Sequence, residues 1–191
     1  MPLLTGIQAY WKADEASGNM ADSTANGNTL VNGSSVPFAA AKINNGADLE
    51  SGSTDYFSIT DAAQTGLDLT GDFTVAAWLN PESISGFHVL VSKDQGQPNR
   101  SYAVGLRDIT GTKYMEWLLS TDGQNSGTNN YRVASASVTT GSFKLYIWTY
   151  NGSTGTCEGF INNTSIGTAA GSAGIYNSSA DFQLGRSEPA N

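Results

Sequence analysis

Phe73-Thr-Val-Ala-Ala-Trp-Leu-Asn80 and Phe143-Lys-Leu-Tyr-Ile-Trp-Thr-Tyr150 are the two stretches on which the fold turns. In an extended chain successive side chains point to opposite faces, so residues 73, 75, 77 and 79 share one face. All four are apolar, the pattern of a strand with one face in a core. The second stretch is apolar on both faces, with Phe143, Leu145 and Ile147 on one and the aromatic stripe Tyr146, Trp148 and Tyr150 on the other. Such a strand is expected at the centre of a sheet covered on both sides. Its Trp is expected in the core sooner than on a ligand platform.

Working outward, compact or alternating apolar runs recur between turn-rich gaps, as in an antiparallel sandwich. The expected strands before Phe73–Asn80 are Ile7–Ala13, Thr29–Asn32, Ala47–Glu50 and Tyr56–Thr60. After it come His88–Lys93, Tyr102–Arg107, Lys113–Ser120, Tyr131–Ser135, Phe143–Asn151, Thr156–Ile161, Thr164–Thr168 and Asp181–Gly185. Asn26-Gly27, Asn32-Gly33, Asp122-Gly123 and Asn151-Gly152 are tight-turn dipeptides between them. The composition agrees: 22 Ser, 19 Thr, 16 Asn and 22 Gly stand where charged residues would be, the latter only 14%. No window offers long-helix residues at helical spacing, which excludes an all-helical fold. No linker, repeat or low-complexity block divides residues 1–191, which read as a single domain.

The net charge of −8, with no Lys/Arg cluster, argues against nucleic acid and against an anionic membrane as partners. One cysteine, Cys157, forms no internal disulfide, and one histidine, His88, builds no multi-histidine metal site. The Met-Pro-Leu-Leu-Thr-Gly-Ile-Gln start has neither the basic region nor the apolar run of a secretion signal, and no stretch is long enough to span a membrane. The expectation is a protein that reaches its destination, the outside of a cell included, without a signal of its own.

Several segments, in order, resemble a laminin G-like domain of the concanavalin A-like lectin/glucanase superfamily. They are Ala9-Tyr-Trp-Lys-Ala-Asp-Glu-Ala-Ser-Gly18 with Ala21–Asn28, Lys42–Glu50, Asp55-Tyr-Phe-Ser-Ile59, Gly71–Pro81, Thr140–Gly152 with Phe143 where Trp is common, and Gly159-Phe-Ile-Asn162. The resemblance implies an all-β, two-sheet antiparallel jelly-roll sandwich. The opening Leu3–Gly18 is also similar to modules of bacteriophage and environmental viral proteins, which implies a place in a virion, as a tail or capsid decoration.

The superfamily includes glucanases, which set two carboxylates across the scissile bond from alternate positions of one strand. Here only Asp48-Leu-Glu50 places two acids on one face, flanked by Gly46 and Gly52, and Asp14-Glu15 point to opposite faces. The reading is a non-enzyme: a binding or adhesion module for a glycan or protein surface. A purely structural virion domain, and a glycoside hydrolase without the familiar motif, stand as alternatives.

Asp22-Ser-Thr-Ala-Asn-Gly-Asn28 is the candidate Ca²⁺ loop, because Asp22, Asn26 and Asn28 put three oxygen-donor side chains within one turn-rich loop. The competing reading is an Asx turn in which Asp22 bonds backbone N–H groups. For a glycan, the expected contacts are Asp122, Gln124 and Asn125 of the amide-rich Thr121–Asn130 loop, with Tyr131 as the aromatic platform. Finally, the resemblance implies a further strand after Phe182-Gln-Leu-Gly-Arg186, where this sequence reads Ser-Glu-Pro-Ala-Asn191. Ile7–Ala13 is then expected as an uncovered edge, to be paired by a continuation of the polypeptide or by a neighbouring subunit.

Overall fold

The computed structural model describes residues 6–50, 54–126 and 128–186. The segment after Arg186, on which the last-strand expectation falls, lies outside them. The described residues form thirteen strands and no helix. β1 (Val31–Asn32), β4 (Phe57–Ile59), β13 (Phe182–Leu184), β6 (Gly86–Asp94), β7 (Arg100–Ile109), β8 (Thr112–Ser120) and β9 (Thr128–Ala134) make one sheet, in the order β1-β4-β13-β6-β7-β8-β9. β12 (Thr164–Ala169), β11 (Thr156–Ile161), β10 (Lys144–Asn151) and β5 (Phe73–Leu79) make the second, in that order. A hairpin of β2 (Phe38–Ala40) and β3 (Asn45–Ala47) stands apart. Every pairing is antiparallel. The architecture is the all-β jelly-roll sandwich that the sequence implied.

The two decisive stretches sit as their patterns require. β10 lies between β5 and β11, with Tyr146 opposite Ala77 and Tyr150 opposite Phe73. Its aromatic stripe faces inward: Tyr146 and Trp148 are fully buried and Tyr150 is 2% exposed. Tyr102, Val104 and Trp117 of the larger sheet are buried in the same core, and the Phe73 ring lies 5.9 Å from Tyr102 and 5.5 Å from Tyr150. The outer face of the smaller sheet departs from expectation. Leu145 and Ile147 are only half-buried, and Trp78, across from Leu145, is 41% exposed. β10 is central but covered fully on one side only.

Ile7–Ala13 is not a strand, which corrects the sequence reading. Its one pairing is an isolated bridge between Trp11 and Asp22. Side chains of the following loop take the backbone groups a ladder would have used: the Tyr10 N–H donates to Asp22, and the Gln8 carbonyl accepts from Asn26 and Asn28. Local side-chain bonding of this kind competes with strand pairing. The segment still packs on the core, with the Trp11 ring stacked 5.3 Å from Phe182. The β2–β3 hairpin was only half legible, because Phe38-Ala-Ala40 lacks alternation.

Lys93 points into the sandwich from β6, opposite Tyr102, and is fully buried. Asp61 and Asp68 of the β4–β5 connection both pair with its ammonium, which a buried lysine requires. Trp148→Ala is expected to cost about 3–5 kcal/mol of stability, whereas Trp78→Ala on the exposed face should cost under about 1 kcal/mol, as read from urea unfolding.

Candidate functional site

The sequence singled out two loops, and the structure treats them differently. In the Asp22 loop the carboxylate is spent on its own chain. Oδ1 accepts the N–H groups of Tyr10 (3.0 Å) and Thr24 (2.9 Å), and Oδ2 accepts the Thr24 hydroxyl (2.7 Å) and the Asn28 N–H (2.9 Å). Asn28 is fully buried; its Nδ2 donates to the carbonyls of Gln8 and Thr65, and its Oδ1 accepts the Thr65 N–H. Asn26 turns its Nδ2 toward the Gln8 carbonyl. This set does not fit a Ca²⁺ ion as it stands, because the side-chain oxygens of Asp22 and Asn28 already accept N–H and O–H donors and Asn26 alone would be left to face a cation. Among the described residues no group of three or more His, Cys, Asp or Glu side chains is placed to hold a metal. The loop ties the N-terminal segment to residue 65.

The Asp122 loop lies at one end of the larger sheet, between β8 and β9. Asp122 Oδ1 accepts the Gln124 N–H at 2.8 Å, which holds the turn open. Gly123 sits at φ +80, where a Cβ would come within 2.4 Å of the Pro98 carbonyl oxygen and 2.8 Å of the Tyr176 ring, so glycine is required. Its carbonyl accepts the Arg100 N–H at 3.2 Å. Three connections therefore meet here: residues 95–99, 121–126 and 170–181. Asp122 and Asn125 stand exposed, with Gln124 half-buried beside them.

Tyr131, the aromatic expected to serve this loop, is half-buried on the inward face of β9, opposite Trp117. Its hydroxyl accepts the Ser172 N–H at 2.9 Å, and a Cβ on Gly171 would meet its ring at 2.7 Å. Tyr150 reaches the same segment from β10, donating its hydroxyl to the Ser172 carbonyl at 2.9 Å. These two tyrosines fasten the loop that carries Tyr176, and the Tyr176 N–H donates to the Ser120 carbonyl at 2.8 Å. Tyr176 is 38% exposed with its ring on Gly123. The aromatic at the loop cluster is thus Tyr176, which the sequence reading passed over; an isolated tyrosine in Gly174-Ile-Tyr-Asn177 was its only signal.

Behind the cluster, Asp94 is 4% exposed and accepts the Gly96 N–H, with the Arg100 guanidinium 3.7 Å away. Burial pushes its carboxyl above the usual range, against the lowering pull of Gly96 and Arg100. On the outer face of the same sheet Glu116 is fully buried between Arg107 and Arg132, and the Arg107 guanidinium lies 4.7 Å over Phe87. The alternation of Tyr114, Glu116 and Leu118 against Met115, Trp117 and Leu119 was the signal for that face. His88 and Cys157 stay structural: His88 Nε2 accepts the Ser85 N–H, and burial pushes the Cys157 thiol up to about 12.

The sheet order, the packed inner faces and the loops gathered at the sheet ends define a concanavalin A-like β-sandwich. The chain belongs to the concanavalin A-like lectin/glucanases superfamily, whose laminin G-type profile matches residues 51–191. Among solved structures it is similar to domain 4 of AbnA, a GH43 extracellular arabinanase from Geobacillus stearothermophilus, in complex with arabinotriose. That likeness has a TM-score of 0.62 at 17% identity, over 91% of this chain and 85% of the other. No curated protein matches the sequence.

The Asp22 loop supplies a pH test. Burial works to raise the Asp22 carboxyl, but the hydrogen bonds from Tyr10, Thr24 and Asn28 outweigh it and hold it below the usual range. A carboxyl lowered by folding stabilises fully above its unfolded value, about 3.9, and the contribution is lost as pH falls through the folded value. Asp22→Asn is expected to cost about 1–3 kcal/mol at pH 7. Urea unfolding at stepped pH should find the gap from wild type closing below about pH 4.

Proposed function

We propose that the protein is a non-catalytic glycan-binding module whose contacts come from the loop cluster: Tyr176 as the aromatic face, with Asp122, Gln124 and Asn125 as polar partners. The observation that carries this reading is the Tyr176 ring, exposed yet seated on Gly123, with its own backbone N–H held by the Ser120 carbonyl, beside a loop of carboxylate and carboxamide groups. A sugar ring offers an apolar face of C–H groups and an equatorial belt of hydroxyls, and a rigid aromatic flanked by donors and acceptors matches both. Because the ring is already ordered, little side-chain entropy is lost on binding. The superfamily, and the arabinotriose held by the similar arabinanase domain, support a carbohydrate as ligand. The Asp122 carboxylate, engaged by its own turn, suits a hydrogen-bond acceptor better than a catalytic acid.

An adhesion module of this kind suits the surface of a virion or an extracellular assembly, which the phage-like opening of the sequence supports. Its acidic charge of −8 favours a neutral glycan over an anionic one.

Isothermal titration with neutral oligosaccharides, arabinotriose among them, tests the reading. Tyr176→Ala should abolish binding and move the melting temperature by under about 2 °C. Tyr131→Ala should instead destabilise the fold by about 2–4 kcal/mol, because it removes a part of the core and frees the Ser172 N–H. Binding that survives Tyr176→Ala would place the glycan elsewhere.

A further inference from the structure

Among the described residues β5 pairs only with β10, so one long side of β5 ends the smaller sheet. Unpaired edges are normally blunted by charges, prolines, bulges or shortness. The other edges of the two sheets follow that rule. β1 has two residues, β12 is offset by a bulge at Gly159/Phe160, and β9 carries Arg132. β5 carries no such guard: its seven residues Phe73-Thr-Val-Ala-Ala-Trp-Leu79 hold no charge and no proline, and its register with β10 has no irregularity.

Among the described residues no strand lies along that edge, and Lys42 at the tip of the β2–β3 hairpin reaches over its outer face, 5.3 Å from the Trp78 ring. A cleft of about 2190 Å³ runs along the edge, toward the N-terminal segment and the β2–β3 hairpin. Val75, Ala77 and Leu79 face inward yet are only half-buried, and Trp11, Leu90 and Leu184 line the same cleft. Among the described residues these side chains lack the facing neighbour that an inner sheet face has elsewhere. Along the cleft acidic side chains outnumber lysines seven to two. Asp14, Asp48 and Glu82 are exposed among them.

We infer that this edge of β5, unpaired among the described residues, is a docking site for an extended segment of a partner protein, with alternating apolar residues and basic flanks. Main-chain hydrogen bonds to β5 give such a segment its affinity, and side chains on alternate positions fill the cleft over Val75, Ala77 and Leu79. The charge pattern selects against a second copy of this chain, since two molecules of net charge −8 would meet across acidic rims. This site is separate from the loop cluster, and its failure leaves the glycan reading intact.

The test uses the whole protein and a fluorescein-labelled synthetic peptide of alternating valine and threonine with two lysines at each end. Fluorescence anisotropy at low salt should show saturable binding. Replacing the threonines by prolines should abolish it, and replacing the lysines by glutamates should weaken it about tenfold or more. In the protein, Val75→Lys should remove binding. Should Val75→Lys fail to fold, the surface pair Asp48→Lys and Glu82→Lys carries the test, lowering affinity about tenfold at an unchanged melting temperature. No binding of the lysine-flanked peptide, equal binding of the proline peptide, or affinity indifferent to both sets of variants would overturn the inference. So would sedimentation showing that the protein dimerises and that Val75→Lys makes it monomeric.

Discussion

The structure depends on one constraint: the inward aromatic side chains of β10 must be buried against those of the larger sheet. Tyr146, Trp148 and Tyr150 project from one face of a single strand, Phe73 packs beside Tyr150 and against Tyr102 of the larger sheet, and Trp117 is buried in the same core. Aromatic side chains bury large areas and prefer tilted or offset contacts, so the seam fixes both the spacing of the sheets and the register of β5 on β10. The seam also reaches the surface. Tyr150 and Tyr131 extend from it with hydroxyls bonded to Ser172, and that segment carries Tyr176. The order of the loop cluster is thereby inherited from the core rather than made by the loop itself.

The sandwich was legible because period-2 burial leaves a direct mark: Phe73-Thr-Val-Ala-Ala-Trp-Leu79 and the β10 stripe each announce a face. Ile7–Ala13 carries apolar residues at strand-like spacing and is still not a strand. Asp22, Asn26 and Asn28 capture its backbone groups from elsewhere in the sequence, which no local pattern reports. The same contacts form the turn that the sequence also allowed: a loop rich in oxygen atoms looks the same in sequence whether the oxygens face a cation or amide protons. Only the geometry separates the two.

The loop cluster was half legible. The Thr121–Asn130 stretch stood out as polar and amide-rich, and Asp122, Gln124 and Asn125 do lie at a junction of three connections. Its aromatic did not stand out, because pairing across sequence distance decides it. Tyr131 is close in the chain but turns inward beside Trp117, whereas Tyr176 comes from some fifty residues away and is seated on Gly123. A similar limit hid the edge at β5, since nothing in a strand's own sequence says which neighbours it will have.

The central claim is that a glycan is held at the loop cluster by an aromatic that the buried seam keeps in position. Backbone amide NMR on the intact protein, titrated with a panel of neutral oligosaccharides, tests it most directly. The account predicts saturable shifts confined to Gly123–Asn125 and Ser172–Tyr176, with Tyr146–Tyr150 unmoved. Shifts that centre on the Asp22–Asn28 loop or on the Trp78 face, or no shift with any sugar, would contradict it.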